Sequence, residues 1–230
     1  MRVIHPTAGE ADIDELYGVA RPRPGRRPWV GLCMISSLDG TTVVEGRSGA
    51  LGNATDARVF GALRRAADVV LVGASTVRAE GYGPPRRSSL RIGVVTSRGV
   101  ETDTALFRTG AGFLVLPEDG PTVDRRVDVV RAGTGRVDLG LALERLGDVV
   151  EEPRFVQCEG GAHLNGALLD AGCVDEIDLT TAPVLAGGDG PRVTSGAAAA
   201  LVRFDLAHLA TEDGYLYGRW VRPLSPAPPS

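Results

Sequence analysis

Four stretches of this chain gather groups that can do chemistry, and each follows an apolar run. Asp39 ends "CMISSLDG". "ASTVRAEGYGPPRR" follows "DVVLVG". Thr96, Ser97 and Arg98 follow "RIGVV". Glu159 opens "EGGAHLNG" after "RFVQC". The last of these is the most specific. Gly160 and Gly161 let the backbone come close to a ligand. The helix that follows, from Ala162 through His163, Leu164 and Asn165, presents unpaired N–H groups at the positive end of its dipole. That combination suits a pyrophosphate. It is neither G-x-G-x-x-G nor a P-loop, so an unliganded strand-to-helix turn is the competing reading. Two hydroxyls and a guanidinium at Thr96, Ser97 and Arg98 suit an adenosine 2′-phosphate, with a solvated turn as the alternative. Arg64 borders an apolar helix stripe beside Phe60, where it either reaches a cleft or lays its stem on the surface. Asp39 is followed by Gly40, a common turn pair.

The elements that must position these groups alternate along the chain. "WVGLCMISS", "DVVLVG", "RIGVVTS", "GFLVLPE", "RFVQCEGG" and "EIDLTTAPVL" read as strands, with "RVDVVRAG" a weaker one. "TDARVFGALRRAAD", capped by Asn53 or Thr55, "LGLALERLG" and "AHLNGALLDAG" read as helices. "FDLAHLATEDGYLYGRWV" reads as two strands about the turn Asp213-Gly214. The order implies an α/β domain over residues 29–221, with a mostly parallel central sheet flanked by helices and a C-terminal antiparallel hairpin at its edge. Residues 1–28 read as a short leading helix and a solvated linker, because the prolines of "RPRPGRRP" break any helix. Residues 222–230 read as a disordered Pro-rich tail. Ligands in such sheets bind where strands exit at their carboxyl ends, which is where the polar residues fall.

Composition excludes several classes. Of 230 residues, 43% are hydrophobic and 23% charged, as in an ordinary globular chain. A net charge of −4 and 5% aromatics give no basis for binding nucleic acid or an anionic membrane. No apolar run of about 18 residues predicts a membrane helix, and no signal peptide is apparent. Cys33, Cys158 and Cys173 form no C-x-x-C pair. Their spacing fits the cytoplasm rather than a disulfide framework. His5, His163 and His208 share no metal-ligand spacing, so no metal is expected. There is no G-x-S-x-G elbow.

"SSLDG", "LVGASTVRAEGYGP" and "EGGAHLNGALLDAGCVDEIDLTTAPVLAGG", in that order, resemble the reductase domain of the riboflavin-biosynthesis deaminase/reductases. The resemblance runs from about Pro28 to Val221. The zinc signature of the deaminase half is absent from this sequence. The resemblance implies a dihydrofolate-reductase-like fold, a stand-alone pyrimidine reductase, NADPH as cofactor and a homodimer. The implied substrate is a small molecule, a ribosylaminopyrimidine phosphate reduced to its ribityl form. It places Asp39 and Glu159 at the reacting centre, where a carboxylate favours an iminium or relays its proton. Ser48, Arg64 and Arg87 (or Arg86) would hold substrate. Met34, Ala50, Thr76, Glu80, Thr96, Ser97, Arg98 and Gly160 through Asn165 would line the cofactor, with Gly161 through Ala167 wrapping its pyrophosphate. Many members carry lysine where Cys33 stands and aspartate where Glu80 stands. Those departures keep two alternatives open: a dihydrofolate or pterin reductase, and a non-catalytic NADPH-binding protein.

Overall fold

The computed structural model describes residues 1–223. In chain order the elements are β1 (Arg2–His5), β2 (Gly9–Glu10), α1 (Ile13–Tyr17), β3 (Trp29–Ser36), α2 (Ala54–Ala66), β4 (Val69–Gly73), α3 (Ala74–Glu80) and β5 (Arg91–Val95). There follow α4 (Ala105–Arg108), β6 (Gly112–Leu116), β7 (Val129–Arg131), α5 (Leu139–Glu144), a 3-10 turn (Arg145–Asp148), β8 (Phe155–Cys158) and α6 (Ala162–Asp170). Then come β9 (Glu176–Thr181), β10 (Asp205–Glu212) and β11 (Tyr215–Val221). All strands join one sheet in the order β2-β1-β10-β11-β9-β3-β8-β4-β5-β6-β7. From β9 to β7 every pairing is parallel, and from β2 to β9 every pairing is antiparallel. The expected mostly parallel α/β sheet is therefore present. The C-terminal hairpin is not its edge, because β1 and β2 extend the sheet beyond β10.

The central strands are apolar throughout because both faces are covered. Alternation along β4 divides its residues between two cores. Val70 and Val72 pack with Val59, Ala62 and Leu63 of α2. Val69 and Leu71 pack with Leu164 and Leu168 of α6 and with Leu143 of α5. Helix α2 begins where the Asn53 side chain accepts from the Asp56 N–H at 2.8 Å. It ends at Ala66, where Arg87 donates to the carbonyls of Arg65 and Ala67. Leu63 is fully buried, so Leu63→Ala would remove about 2–5 kcal/mol.

The leading segment is more firmly built in than the linker reading allows. Helix α1 is closed by a capping box of Asp12 and Glu15, and it buries Ile13 and Tyr17. Arg21 is buried, with its guanidinium 3.8 Å from the centre of the Phe155 ring and 2.7 Å from Glu176 Oε1. Arg27 pairs with Asp175 at 2.5 Å. Glu176 also accepts from the Trp29 indole and from Arg219. A buried carboxylate needs such partners, and two of the three that Glu176 has are residues 21 and 29. The arginines of "RPRPGRRP" thus include two structural ones, neither left free for phosphate. The expected disordered tail lies outside the described residues except for Arg222 and Pro223; the Arg222 N–H donates to the Asp175 carbonyl at 2.7 Å.

Candidate functional site

The carboxyl ends of β3, β4, β5 and β8 open onto one trough with two chambers. The first, about 630 Å³, is lined by Cys33 and Met34 of β3, by Asp56, Phe60 and Arg64 of α2, by Thr76 and Glu80 of α3, and by Ser48, Tyr82 and Glu159. The second, about 690 Å³, is lined by Thr96, Ser97 and Arg98 after β5, by Arg78 and Arg136, and by Leu164 and Ala167 of α6. Ser75, Gly161, Ala162 and His163 border both. Each chamber falls in the size range of small-molecule sites.

Glu159 organises the first chamber. It is 7% exposed. Arg64 donates from Nε to Oε1 and from Nη2 to Oε2, both at 2.7 Å. The Tyr82 hydroxyl donates to Oε2 at 2.5 Å, and Gln157 Nε2 donates to Oε1 at 3.0 Å. Arg64 lies between two rings, 4.4 Å from the centre of Phe60 and 5.6 Å from that of Tyr82. Burial works against its charge, but the Glu159 bond and charge win and hold it protonated. The Tyr82 hydroxyl is kept protonated first by burial and then by the Glu159 charge. Burial, and then the carboxylates of Asp178, Glu159 and Asp56, push the Cys33 thiol up, so this position brings no charge to the wall. Ser48 donates its N–H and hydroxyl to Glu80 Oε1 at 3.0 and 3.1 Å, tying the loop before α2 to the end of α3.

The second chamber is electropositive. Arg78, Arg98 and Arg136 make no ion pair among the described residues. Thr96 shapes the turn by accepting from the Arg98 N–H at 3.2 Å and donating to the Gly99 carbonyl at 3.3 Å. Helix α6 starts at the shared border with no side-chain cap. Gly160 has φ +80°, and a Cβ on Gly161 would lie 3.0 Å from Thr76 Oγ1, so both positions suit glycine.

Several expected site residues stand elsewhere. Asp39 does not join Glu159 on the trough wall. It accepts from the Ser37 hydroxyl at 2.5 Å and from the N–H groups of Ala186 and Gly187 at 3.1 and 2.7 Å. These bonds, that of Ser37 first, hold its carboxyl down at about 2. It fastens the loop after β9. Arg87 caps α2 and is outside both chambers, as is Ala50. Asn165 is fully buried; its amide donates to the Val193 carbonyl at 2.8 Å and its oxygen accepts from Cys158 Sγ. Gly160 is absent from the lining, although Gly161 through Leu164 are present. Conversely, Tyr82, Asp56, Arg78 and Arg136 line the trough without having been expected. For Tyr82 a signal existed: a lone aromatic in the glycine-rich exit "EGYGP".

A third hollow, about 840 Å³, lies beneath residues 192–201 and holds none of the expected residues; its only charged lining group is Arg192. Among the described residues, no group of His, Cys, Asp and Glu could hold a metal ion, and no helix is long and apolar enough to cross a membrane.

Residues 28–215 match the RibD C-terminal domain family. The chain belongs to that family. It is 34% identical over 180 residues to the 2,5-diamino-6-ribosylamino-4(3H)-pyrimidinone 5′-phosphate reductase of Methanothermobacter thermautotrophicus, covering 70% of this chain and 81% of that one. It is 31% identical over 186 residues to riboflavin biosynthesis protein RibD of Bacillus amyloliquefaciens, covering 74% of this chain but only 49% of that protein. The fold is shared with a pyrimidine reductase-like protein of Corynebacterium diphtheriae, at TM-score 0.76, 22% identity and coverage of 92% and 98%. It is also shared with the riboflavin biosynthesis reductase of Saccharomyces cerevisiae, at TM-score 0.67, 21% identity and coverage of 87% and 92%. This is the dihydrofolate-reductase-like α/β architecture expected of a RibD-type reductase domain.

Proposed function

We propose that this RibD-type domain is an NADPH-dependent pyrimidine reductase of riboflavin synthesis, converting a ribosylaminopyrimidine phosphate to its ribitylamino form. The observation that carries this reading is the two-chamber trough. One chamber joins carboxylates, a guanidinium and a phenol around space for a polar ring. The other offers three guanidiniums with no ion pair among the described residues, and an uncapped helix N-terminus.

The residues present fit the cofactor. The α6 N–H groups and Gly161 suit the pyrophosphate, and Arg78, Arg98 and Arg136 suit a phosphomonoester on the adenosine ribose. When bound, NADPH supplies the hydride, and the protein supplies position and charge. Thr76 and Met34 would line its path between the chambers. Glu159, held rigid by Arg64, Tyr82 and Gln157, would orient the pyrimidine and favour positive charge at the reacting C=N bond. Arg64 keeps Nη1 for the substrate's anionic groups. Asp39 would act on the site through the loop it fastens. A cytoplasmic homodimer belongs to the same proposal.

Complementation of a riboflavin auxotroph lacking its pyrimidine reductase tests the reading. Growth without riboflavin is expected. Failure to grow, with the protein expressed and folded, would contradict it.

A further inference from the structure

Three carboxylates line the first chamber, and two of them are engaged. Glu80 accepts from the Ser48 N–H and hydroxyl, and Glu159 accepts four hydrogen bonds. The third is Asp56. It stands on the same face of α2 as Phe60 and Arg64, at steps of four residues, and all three line the first chamber. Its backbone N–H is taken by Asn53, but its carboxylate makes no ion pair among the described residues. The groups that face it are Cys33 of β3, Thr180 of β9 and Tyr217 of β11, and none of them is a cation. A Cβ added at Gly52 would stand 3.0 Å from Asp56 Oδ2, so the loop before α2 packs against the carboxylate. Burial raises its carboxyl from the ordinary value, against a smaller opposing effect of the neighbouring Thr180 hydroxyl.

We propose that Asp56 is the acid that opens the substrate's ribose ring. The inference rests on the pyrimidine-reductase reading. In that reaction the C1′–O4′ bond breaks, its electron pair goes to O4′, and the glycosylic nitrogen forms C1′=N⁺. O4′ takes the proton of the Asp56 carboxyl. When bound, the reduced nicotinamide would supply the hydride that balances the step at C1′, the electron pair returning to nitrogen. One proton is consumed per turnover, and the Asp56 carboxylate regains it from water. Burial with no cation beside it favours the protonated carboxyl, the form that can give up this proton. Glu159, already bound to Arg64, is placed to face the positive nitrogen instead.

The test combines the activity of Asp56→Asn with the titration of Asp56 by carboxyl-carbon NMR in the ligand-free wild type. D56N should lose about 100-fold or more in kcat, with NADPH affinity and thermal unfolding near those of the wild type. The wild-type kcat should fall with rising pH at the value where Asp56 titrates once substrate is bound. Thr180→Val, which removes the one group that lowers this pKa, should move both the NMR titration and the alkaline limb of kcat upward. D56N turning over within about threefold of the wild type, or an alkaline limb indifferent to T180V, would overturn the inference while leaving the pyrimidine-reductase reading intact. A wild type that binds NADPH but never reduces the pyrimidine would overturn both.

Discussion

Arg64 and Glu159 meet at two points, Nε to Oε1 and Nη2 to Oε2, each at 2.7 Å, at the floor of the first chamber. The pair joins α2 to the end of β8, so one contact ties the substrate wall to the sheet. Glu159 is buried, and it loses its cation if Arg64 is removed. Arg64→Met should therefore destabilise the fold by about 3–5 kcal/mol. Arg64→Met with Glu159→Gln should recover much of that loss, because the stranded charge goes too. Denaturant unfolding of the two single variants and the double variant measures the coupling.

In the second chamber, Arg98→Ala and Arg136→Ala should each weaken NADPH about tenfold or more, since a charge-assisted hydrogen bond contributes about 1.5–3 kcal/mol. NADH lacks the phosphate these groups would meet, so its affinity should change little. Fluorescence titration with both nucleotides reads the difference without turnover.

Asp39 predicts a local effect. Asp39→Ala should strip hydrogen-exchange protection from the Ala186 and Gly187 amides while leaving the β4 and β8 amides protected. The carboxyl is held near 2, below its ordinary 3.8, so the fastening is complete above about pH 4 and lost as pH falls toward 2.

His208 predicts an acid limb in stability. Burial, and then Arg219, hold its imidazole at about 4 rather than 6.5, so the fold favours the neutral ring. That contribution is complete above pH 6.5 and is lost as pH falls through 4. Between pH 6.5 and 4.5, before Glu176 begins to take protons, the wild type should lose about 2–3 kcal/mol. His208→Phe, whose ring can keep the edge contact with Tyr17 at 4.9 Å, should flatten that interval. Unfolding curves at several pH values decide it.

The central parallel strands were legible because each is a short, largely apolar run packed between the two cores. Helix α2 was legible from its apolar stripe. Helix α3 was not: "ASTVRAE" buries no residue fully, and the helix is bounded by Gly73 and Gly81 rather than by a capping side chain. Strand β1 was missed because one residue of its four is buried and its partner β10 lies some 200 residues away. Distance along the chain also hid the fates of two expected site residues. Asp39 meets Ala186 across 147 positions, and Arg87 turns back to cap α2. Thr76, Glu80, Arg98, Gly161 and Glu159 were placed at strand exits in the sequence, and the fold brings them to one trough. Asp56 gave no such sign, because an acid in the first turn of a helix is ordinary.

Pyrimidine reduction is read by following the near-ultraviolet absorbance of NADPH with the ribosylaminopyrimidine phosphate in one cuvette and dihydrofolate in another. Oxidation of NADPH with the pyrimidine, yielding a ribitylamino product, is expected. Oxidation with dihydrofolate alone, or NADPH binding with neither substrate turned over, would contradict it.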